Sequence, residues 1–127
     1  MPEKKRVLTV DDAGLIRRYY RDILERAGYE VEEAINGLEA IEKLLRTPAD
    51  LLIVDINMPQ MDGLSLLRHL RRQPPPLCAI PALVSSTEAG VQDMDAARAA
   101  GANLYLVKPV KPEILIQYAA LLTGTPL

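Results

Sequence analysis

The chain has few cysteines and aromatic residues and none of the long apolar runs that mark several protein classes. Its 127 residues include no Trp, no Phe and a single cysteine, Cys78, so no intrachain disulfide can form. We expect Cys78 to be a buried small hydrophobic residue. No apolar segment approaches the roughly 20 residues of a membrane span, and the first apolar run is too short for a signal-peptide core. These absences argue against a disulfide-rich secreted protein and against membrane insertion, and they predict a cytoplasmic protein.

Charge of either sign is not in excess. Fifteen basic residues stand against seventeen acidic ones, for a formal net charge of −2. Such a chain offers no electrostatic basis for binding nucleic acid or an anionic membrane. The length and the 49% hydrophobic content fit one globular domain. We therefore expect one domain over residues 1–127, with no linker and no output domain.

Strand-like and helix-like patterns alternate along the whole chain. Five short apolar or alternating runs are predicted to be strands, and amphipathic stretches between them are predicted to be helices. The strands are predicted at 7–10, 29–34, 50–55, 79–85 and 103–107, and the last two helices at 89–100 and 112–122. Five consecutive βα units predict an α/β fold with one parallel sheet and helices on both faces.

Polar residues follow directly after four of these predicted strands. In an open parallel sheet, ligand chemistry gathers outside the carboxyl ends of the strands. Three carboxylates, a hydroxyl group and an ammonium group are therefore predicted to meet in one crevice. The residues are Asp11 and Asp12, Asp55, Ser86 with Thr87, and Lys108.

This set of side chains predicts a divalent-cation site beside a phosphoryl site. Asp55 is the candidate nucleophile, because a carboxylate can take a phosphoryl group as an acyl phosphate. Asp11 and Asp12 would repel it and each other unless a cation lay between them, and Mg²⁺, or Mn²⁺ as a possible substitute, suits oxygen ligands beside a phosphate. Lys108 and Ser86 supply a positive charge and a hydroxyl donor to the phosphoryl oxygens.

Six short motifs in this order resemble the receiver domain of two-component response regulators, over essentially the whole chain. They are Val10-Asp11-Asp12, Asp55-Ile56-Asn57-Met58-Pro59, Met61-Asp62-Gly63, Ser86, Ala100-Gly101-Ala102 and Lys108-Pro109. The resemblance, which is to the single-domain chemotaxis regulators in particular, implies a doubly wound, flavodoxin-like sheet of order 2-1-3-4-5 with five flanking helices. It also implies a cis Lys108-Pro109 peptide bond that aims Lys108 into the site.

The resemblance also implies a role for each residue of the site. Asp55 is the phosphoacceptor and Lys108 and Ser86 assist it. Asp12 and Asp55 bind Mg²⁺ through their carboxylates, Asn57 binds it through its backbone carbonyl, and Asp11 acts mainly through water.

Three further residues are predicted to modulate the switch. Thr87 stands where the family usually has Ala or Gly, and its stiff β-branched side chain is expected to slow phosphorylation and hydrolysis. Glu88, like Asn57, is a residue type found in quickly dephosphorylating relatives and pulls the other way. Tyr105 matches an aromatic residue that moves inward on phosphorylation. Ser85 is a second hydroxyl beside Ser86, and strand alternation allows only one of them to face the site.

The resemblance implies a signalling protein and not an enzyme, apart from catalysing its own phosphorylation and dephosphorylation. Its partners are a sensor histidine kinase or phosphotransfer protein, and either a downstream protein or a second copy that binds the face built by helix four, strand five and helix five. The alternatives are a binding module that is never phosphorylated and a receiver domain cut from a larger regulator. A Mg²⁺-dependent phosphohydrolase is disfavoured, because Asn57 cannot transfer the proton that such an enzyme needs.

Overall fold

A computed structural model describes residues 4–126. Five strands form one parallel sheet in the order β2-β1-β3-β4-β5. The strands are β1 (Arg6–Val10), β2 (Glu30–Ala34), β3 (Leu51–Val54), β4 (Ala82–Ser86) and β5 (Leu104–Val107). The helices are α1 (Gly14–Arg26), α2 (Gly37–Arg46), α3 (Gly63–Arg71), α4 (Val91–Ala100) and α5 (Pro112–Thr123). The predicted α/β class and strand order 2-1-3-4-5 are confirmed.

The helices cover both faces of the sheet and divide the core into two layers. Successive residues of a strand point to opposite faces, so Leu52 packs under α2, α3 and α4, whereas Leu51 and Ile53 pack under α1 and α5. All four residues of β3 are buried, as its uninterrupted apolar sequence predicts for a central parallel strand. No helix among residues 4–126 is long and apolar enough to cross a membrane.

The fourth strand begins later than its sequence pattern predicts. Residues 77–79 form a turn of 3₁₀ helix, and β4 runs from Ala82 to Ser86 and not from 79 to 85. Pro81 has no N–H group to donate to a sheet ladder, so pairing begins with its carbonyl, which accepts a hydrogen bond from Leu52 N at 2.9 Å. Cys78 lies in the 3₁₀ turn and is only partly buried, so the prediction that it is a core residue is wrong.

Candidate functional site

The two central strands bring two aspartates together at the carboxyl edge of the sheet. Asp11 follows β1 and Asp55 follows β3, and Asp55 N donates a hydrogen bond to Val10 O at 2.9 Å. Asp11 is 2% exposed and Asp55 is 8% exposed, whereas Asp12 is open to solvent. One carboxylate oxygen from each of the three lies within 4.8 Å of the others. The predicted acidic cluster is therefore formed by the fold.

Lys108 is the cation that faces this cluster. Its Nζ donates hydrogen bonds to Asp11 Oδ2 at 2.8 Å and to Asp55 Oδ1 at 3.3 Å. The Lys108-Pro109 peptide bond is cis, as the resemblance implies. Lys108 N also donates to Ser86 O at 2.7 Å, which fixes the lysine backbone to the end of β4. One ammonium thus faces three carboxylates, and the site carries an excess of negative charge.

The charge imbalance changes how these groups titrate. Burial and then the negative charge of Asp11 raise the pKa of the Asp55 carboxyl, against the opposite effect of Lys108. Burial lowers the pKa of the Lys108 ammonium, but its hydrogen bond to Asp11 and the charges of Asp11 and Asp55 outweigh burial, and that pKa is raised. A carboxylate held against burial and a like charge is stabilised by any further cation.

The loop after Asp55 is shaped by a tight approach between backbones. A Cβ atom on Gly63 would lie 2.2 Å from Asp55 O, so only glycine fits there. Asp62 caps α3 by accepting a hydrogen bond from Ser65 N at 2.8 Å. Asp62 and Gly63 therefore form the start of α3. Asn57 lies in this loop, two residues after Asp55, and is exposed.

Ser86 and Tyr105 meet on the backbone of Glu88. Glu88 N donates a hydrogen bond to Ser86 Oγ at 3.1 Å, and Tyr105 OH donates one to Glu88 O at 2.7 Å. The side chains of Thr87 and Glu88 are exposed. The backbone of Glu88 is therefore bonded to Ser86 through its N–H group and to Tyr105 through its carbonyl.

The two adjacent serines have different partners. Ser85 Oγ accepts a hydrogen bond from Tyr20 OH at 2.9 Å, on the α1 side of the sheet. Ser86 bonds within the loop that leaves β4. This separation agrees with the alternation expected of neighbouring strand residues.

Sequence reasoning missed several residues that support the site from α1. Arg17 Nη1 donates to Asp11 O at 2.7 Å, and Tyr19 and Tyr20 reach residues on either side of Lys108. These contacts join positions up to 91 residues apart in sequence. Helical periodicity alone assigns these tyrosines to an apolar stripe and gives no signal for their hydroxyl partners.

Comparisons with known proteins agree with this geometry. The model of the response regulator receiver domain family matches residues 7–120. Chemotaxis protein CheY1 of Helicobacter pylori is 39% identical over 122 residues, which cover 94% of this chain and 98% of that protein. Chemotaxis protein CheY of Thermotoga maritima is 38% identical over 114 residues, which cover 89% and 92%. The structure of the chemotaxis response regulator CheY4 of Vibrio cholerae matches with a TM-score of 0.88 and 36% identity, covering 94% of this chain and 99% of that one.

Proposed function

This chain belongs to the response regulator receiver domain family of two-component signalling, and on that premise we propose that it is a phosphorylation switch whose phosphoacceptor is Asp55. Receiver domains are signalling modules and not classical enzymes. The observation that carries the proposal is the single ammonium of Lys108, shared between the buried carboxylates of Asp11 and Asp55. That arrangement leaves a nucleophile, a counter-charge for an incoming phosphoryl oxygen and unneutralised negative charge in one crevice.

The proposed reaction transfers a phosphoryl group from a phosphohistidine of a histidine kinase or phosphotransfer protein. An Asp55 carboxylate oxygen attacks phosphorus, an O–P bond forms, and the N–P bond to the histidine breaks with its electron pair returning to the imidazole, which takes up a proton. With a small donor such as acetyl phosphate, acetate leaves instead. Lys108 turns a hydrogen bond from the Asp55 carboxylate to a phosphoryl oxygen, where its positive charge offsets the developing negative charge. Positioning and charge neutralisation supply most of what this chemistry needs.

The donor set fits Mg²⁺. Receiver domains bind Mg²⁺ at an acidic pocket, and here three carboxylates offer oxygen ligands within 4.8 Å of one another. We propose that Asp12 and Asp55 bind the ion directly, that the backbone carbonyl of Asn57 completes the protein ligands, and that Asp11 acts through water. When bound, the ion supplies positive charge to the phosphoryl oxygens and offsets the repulsion among the carboxylates.

Ser86 and Tyr105 are proposed to carry the signal away from Asp55. The phosphoryl group draws the Ser86 hydroxyl from its bond with Glu88 N, because an anionic oxygen is a stronger partner than a neutral amide. Loss of that bond changes the loop held by Tyr105 and shifts the population of surface states around it. Thr87 is proposed to slow phosphorylation and hydrolysis by crowding the phosphoryl group, and Glu88 is proposed to oppose that effect.

We propose that output is a protein–protein contact in the cytoplasm, through the face built by α4, β5 and α5. After Glu113, α5 carries no charged residue, and Leu121 on its outer side is 67% exposed. Val91 at the start of α4 is 73% exposed. Such apolar exposure suits a docking surface for a downstream protein or a second copy.

The alternative of a binding module that is never phosphorylated is less well supported. Such a module has no use for a buried Asp55 whose charge is opposed by burial and by Asp11. A carboxylate in that position costs stability, and a module without phosphoryl chemistry gains nothing in return.

Incubation with acetyl phosphate and Mg²⁺, followed by intact-mass measurement, tests the proposal. We expect the wild type to gain one phosphoryl group and Asp55→Asn to gain none. Asp50→Asn is the matched control, because Asp50 is exposed at the opposite end of the sheet, where it accepts a hydrogen bond from Arg6 N. An unmodified wild type, or a modified Asp55→Asn variant, would contradict the assignment of Asp55.

A further inference from the structure

We propose that Tyr19 and Tyr20 of α1 are positioning residues that hold Lys108 in the phosphoryl-transfer site from both sides. Tyr20 acts through β4 and Tyr19 through the loop after Lys108. The inference rests on the proposed function of Asp55 and Lys108, and it adds two residues that no motif of the chain identifies.

Tyr20 fixes the strand end to which Lys108 is bonded. Its hydroxyl donates to Ser85 Oγ at 2.9 Å, and the two residues are 2% and 1% exposed. The next residue, Ser86, accepts a hydrogen bond from Lys108 N at 2.7 Å through its backbone carbonyl. Because the Tyr20 bond is buried, water cannot replace it when it is lost. The position of the Lys108 backbone therefore depends on Tyr20 through Ser85.

Tyr19 fixes the chain on the other side of Lys108. Its hydroxyl donates to Val110 O at 2.8 Å, and Val110 is 5% exposed. Lys108 thus lies between two anchored points. One is Ser86, which accepts the hydrogen bond from Lys108 N, and the other is Val110, two residues after Lys108 in the sequence. The Tyr19 and Tyr20 rings are 5.9 Å apart, so one segment of α1 provides both anchors.

Packing alone does not hold the lysine on this side. A cavity of about 290 Å³ lies against it, lined by Ile16, Tyr19, Tyr20, Thr87, Lys108, Pro109 and Val110. A lysine side chain has several rotatable bonds and loses rotamer freedom when it is fixed. Beside open space, the backbone anchors limit where the ammonium can go.

The anchors also close a ring of contacts through the acidic cluster. The helix α1 begins three residues after Asp11, and Asp11 accepts a hydrogen bond from Lys108 Nζ at 2.8 Å. The same segment of chain therefore holds the lysine at its ammonium through Asp11 and at its backbone through the two tyrosines. Loosening the tyrosines lets Lys108 move relative to Asp55, which the ring otherwise prevents.

The test compares phosphorylation rates with acetyl phosphate and Mg²⁺ for Tyr19→Phe, Tyr20→Phe and the double variant. We expect the double variant to react at least about fivefold more slowly, short of the roughly hundredfold that a 1 Å misplacement can cost. Tyr29→Phe is the matched control: Tyr29 is 4% exposed and its hydroxyl lies 3.4 Å from Thr123 Oγ1, away from the acidic cluster. It should react at the wild-type rate.

A Lys108→Ala background separates positioning from loss of stability. If the tyrosines act through Lys108, removing their hydroxyls lowers neither the residual rate nor the beryllofluoride affinity any further on that background. Two results overturn the inference while leaving Asp55 as phosphoacceptor. One is a loss of rate on the Lys108→Ala background equal to that on the wild-type background, and the other is a Tyr19→Phe/Tyr20→Phe variant that reacts as fast as Tyr29→Phe. A wild type that takes up no phosphoryl group overturns both proposals. The combination Tyr20→Phe with Ser85→Ala, which removes both hydroxyls together, keeps the test available if Tyr20→Phe alone folds poorly.

Discussion

Two partly buried cations at opposite ends of the sheet have very different partners. At the carboxyl ends of the strands, Lys108 bonds to charged carboxylates. At the amino ends of β4 and β5, Arg71 donates only to neutral oxygens, which are Gly101 O, Cys78 O, Ile80 O and Asn103 Oδ1. Burial lowers the pKa of the Arg71 guanidinium, whereas the acidic partners of Lys108 raise its pKa.

On the proposed function, the difference separates a structural cation, Arg71, from a functional one, Lys108. Arg71 ties the end of α3 to the turn between α4 and β5, and a Cβ atom on Gly101 would lie 2.6 Å from Arg71 Cγ. The acceptors of Arg71 are uncharged, so they present no excess negative charge that could attract a cationic ligand. The carboxylates around Lys108 exceed it in charge, which suits the proposed metal ion and the proposed transfer of the Lys108 hydrogen bonds to a phosphoryl group. We therefore expect Arg71 to contribute mainly to stability and Lys108 mainly to reactivity.

Removal of Lys108 is expected to have the largest effect on chemistry. Lys108→Ala should slow phosphorylation by acetyl phosphate about 10²- to 10³-fold, the usual loss for one group that neutralises developing charge. Single-turnover rates measured with Lys111→Ala as control test this, since Lys111 is exposed three residues away. A rate within about twofold of wild type would remove Lys108 from the proposed mechanism.

Removal of Arg71 is expected to cost stability and spare the chemistry. Arg71→Ala should lower the free energy of unfolding by about 2–3 kcal/mol, because it leaves partly buried carbonyls without donors. Urea unfolding measures the loss, with exposed Arg72→Ala as the matched control. The comparison of the two cations fails if Arg71→Ala slows phosphorylation of the folded protein as strongly as Lys108→Ala does.

Asp55 is expected to destabilise the metal-free protein at neutral pH. Its pKa is raised in the folded state, so the folded protein binds the proton more tightly than the unfolded chain, and stability is lost as pH rises through the raised pKa. Asp55→Asn should therefore increase the free energy of unfolding by about 1 kcal/mol at neutral pH, within the range typical of such functional sites. The gain should shrink at acidic pH, where Asp55 is protonated.

Urea unfolding at neutral and at acidic pH, with and without Mg²⁺, checks this prediction. Mg²⁺ should stabilise the wild type more than Asp55→Asn, because the ion binds the folded state through that carboxylate. Asp50→Asn should show neither effect. Equal stability of wild type and Asp55→Asn at both pH values would mean that the acidic cluster stores no electrostatic free energy.

Replacement of Thr87 is expected to have the smallest effect. Thr87 is exposed and lines the cavity beside Lys108, so its β-branched side chain narrows the approach to the site without touching the core. Thr87→Ala should speed both phosphorylation by acetyl phosphate and hydrolysis of the aspartyl phosphate by roughly two- to fivefold. This is much less than the roughly hundredfold effect of displacing a reacting group by 1 Å. Unchanged rates in both assays would contradict the crowding argument.

The sequence predicts the fold well where a pattern has one physical cause. The apolar run of β3 and the polar residues after four strands locate the sheet and the edge at which the site forms. Prediction is poorer where an element is apolar all round: Leu121 of α5 is 67% exposed while Ala119 and Ala120 are buried. Periodicity cannot orient a helix that has no polar face.

Contacts between distant residues are also beyond sequence patterns. The bonds of Tyr19 to Val110 and of Arg71 to Gly101 depend on which helices and loops the sheet order brings together. Strand order follows from the resemblance, but the acceptor of a particular hydroxyl or guanidinium follows only from side-chain geometry. The supporting residues of the site were therefore missed, although its charged members were predicted.

The central claim is that the carboxyl edge of the sheet is a phosphoryl-responsive site and that the Arg71 edge is not. Titration with beryllofluoride and Mg²⁺, followed by amide NMR spectra, tests both halves at once. We expect large shifts for Ser86, Glu88, Tyr105 and Lys108, small shifts for Arg71 and Gly101, and no response in Asp55→Asn. An unresponsive wild type, or shifts around Arg71 as large as those around Lys108, would contradict the account.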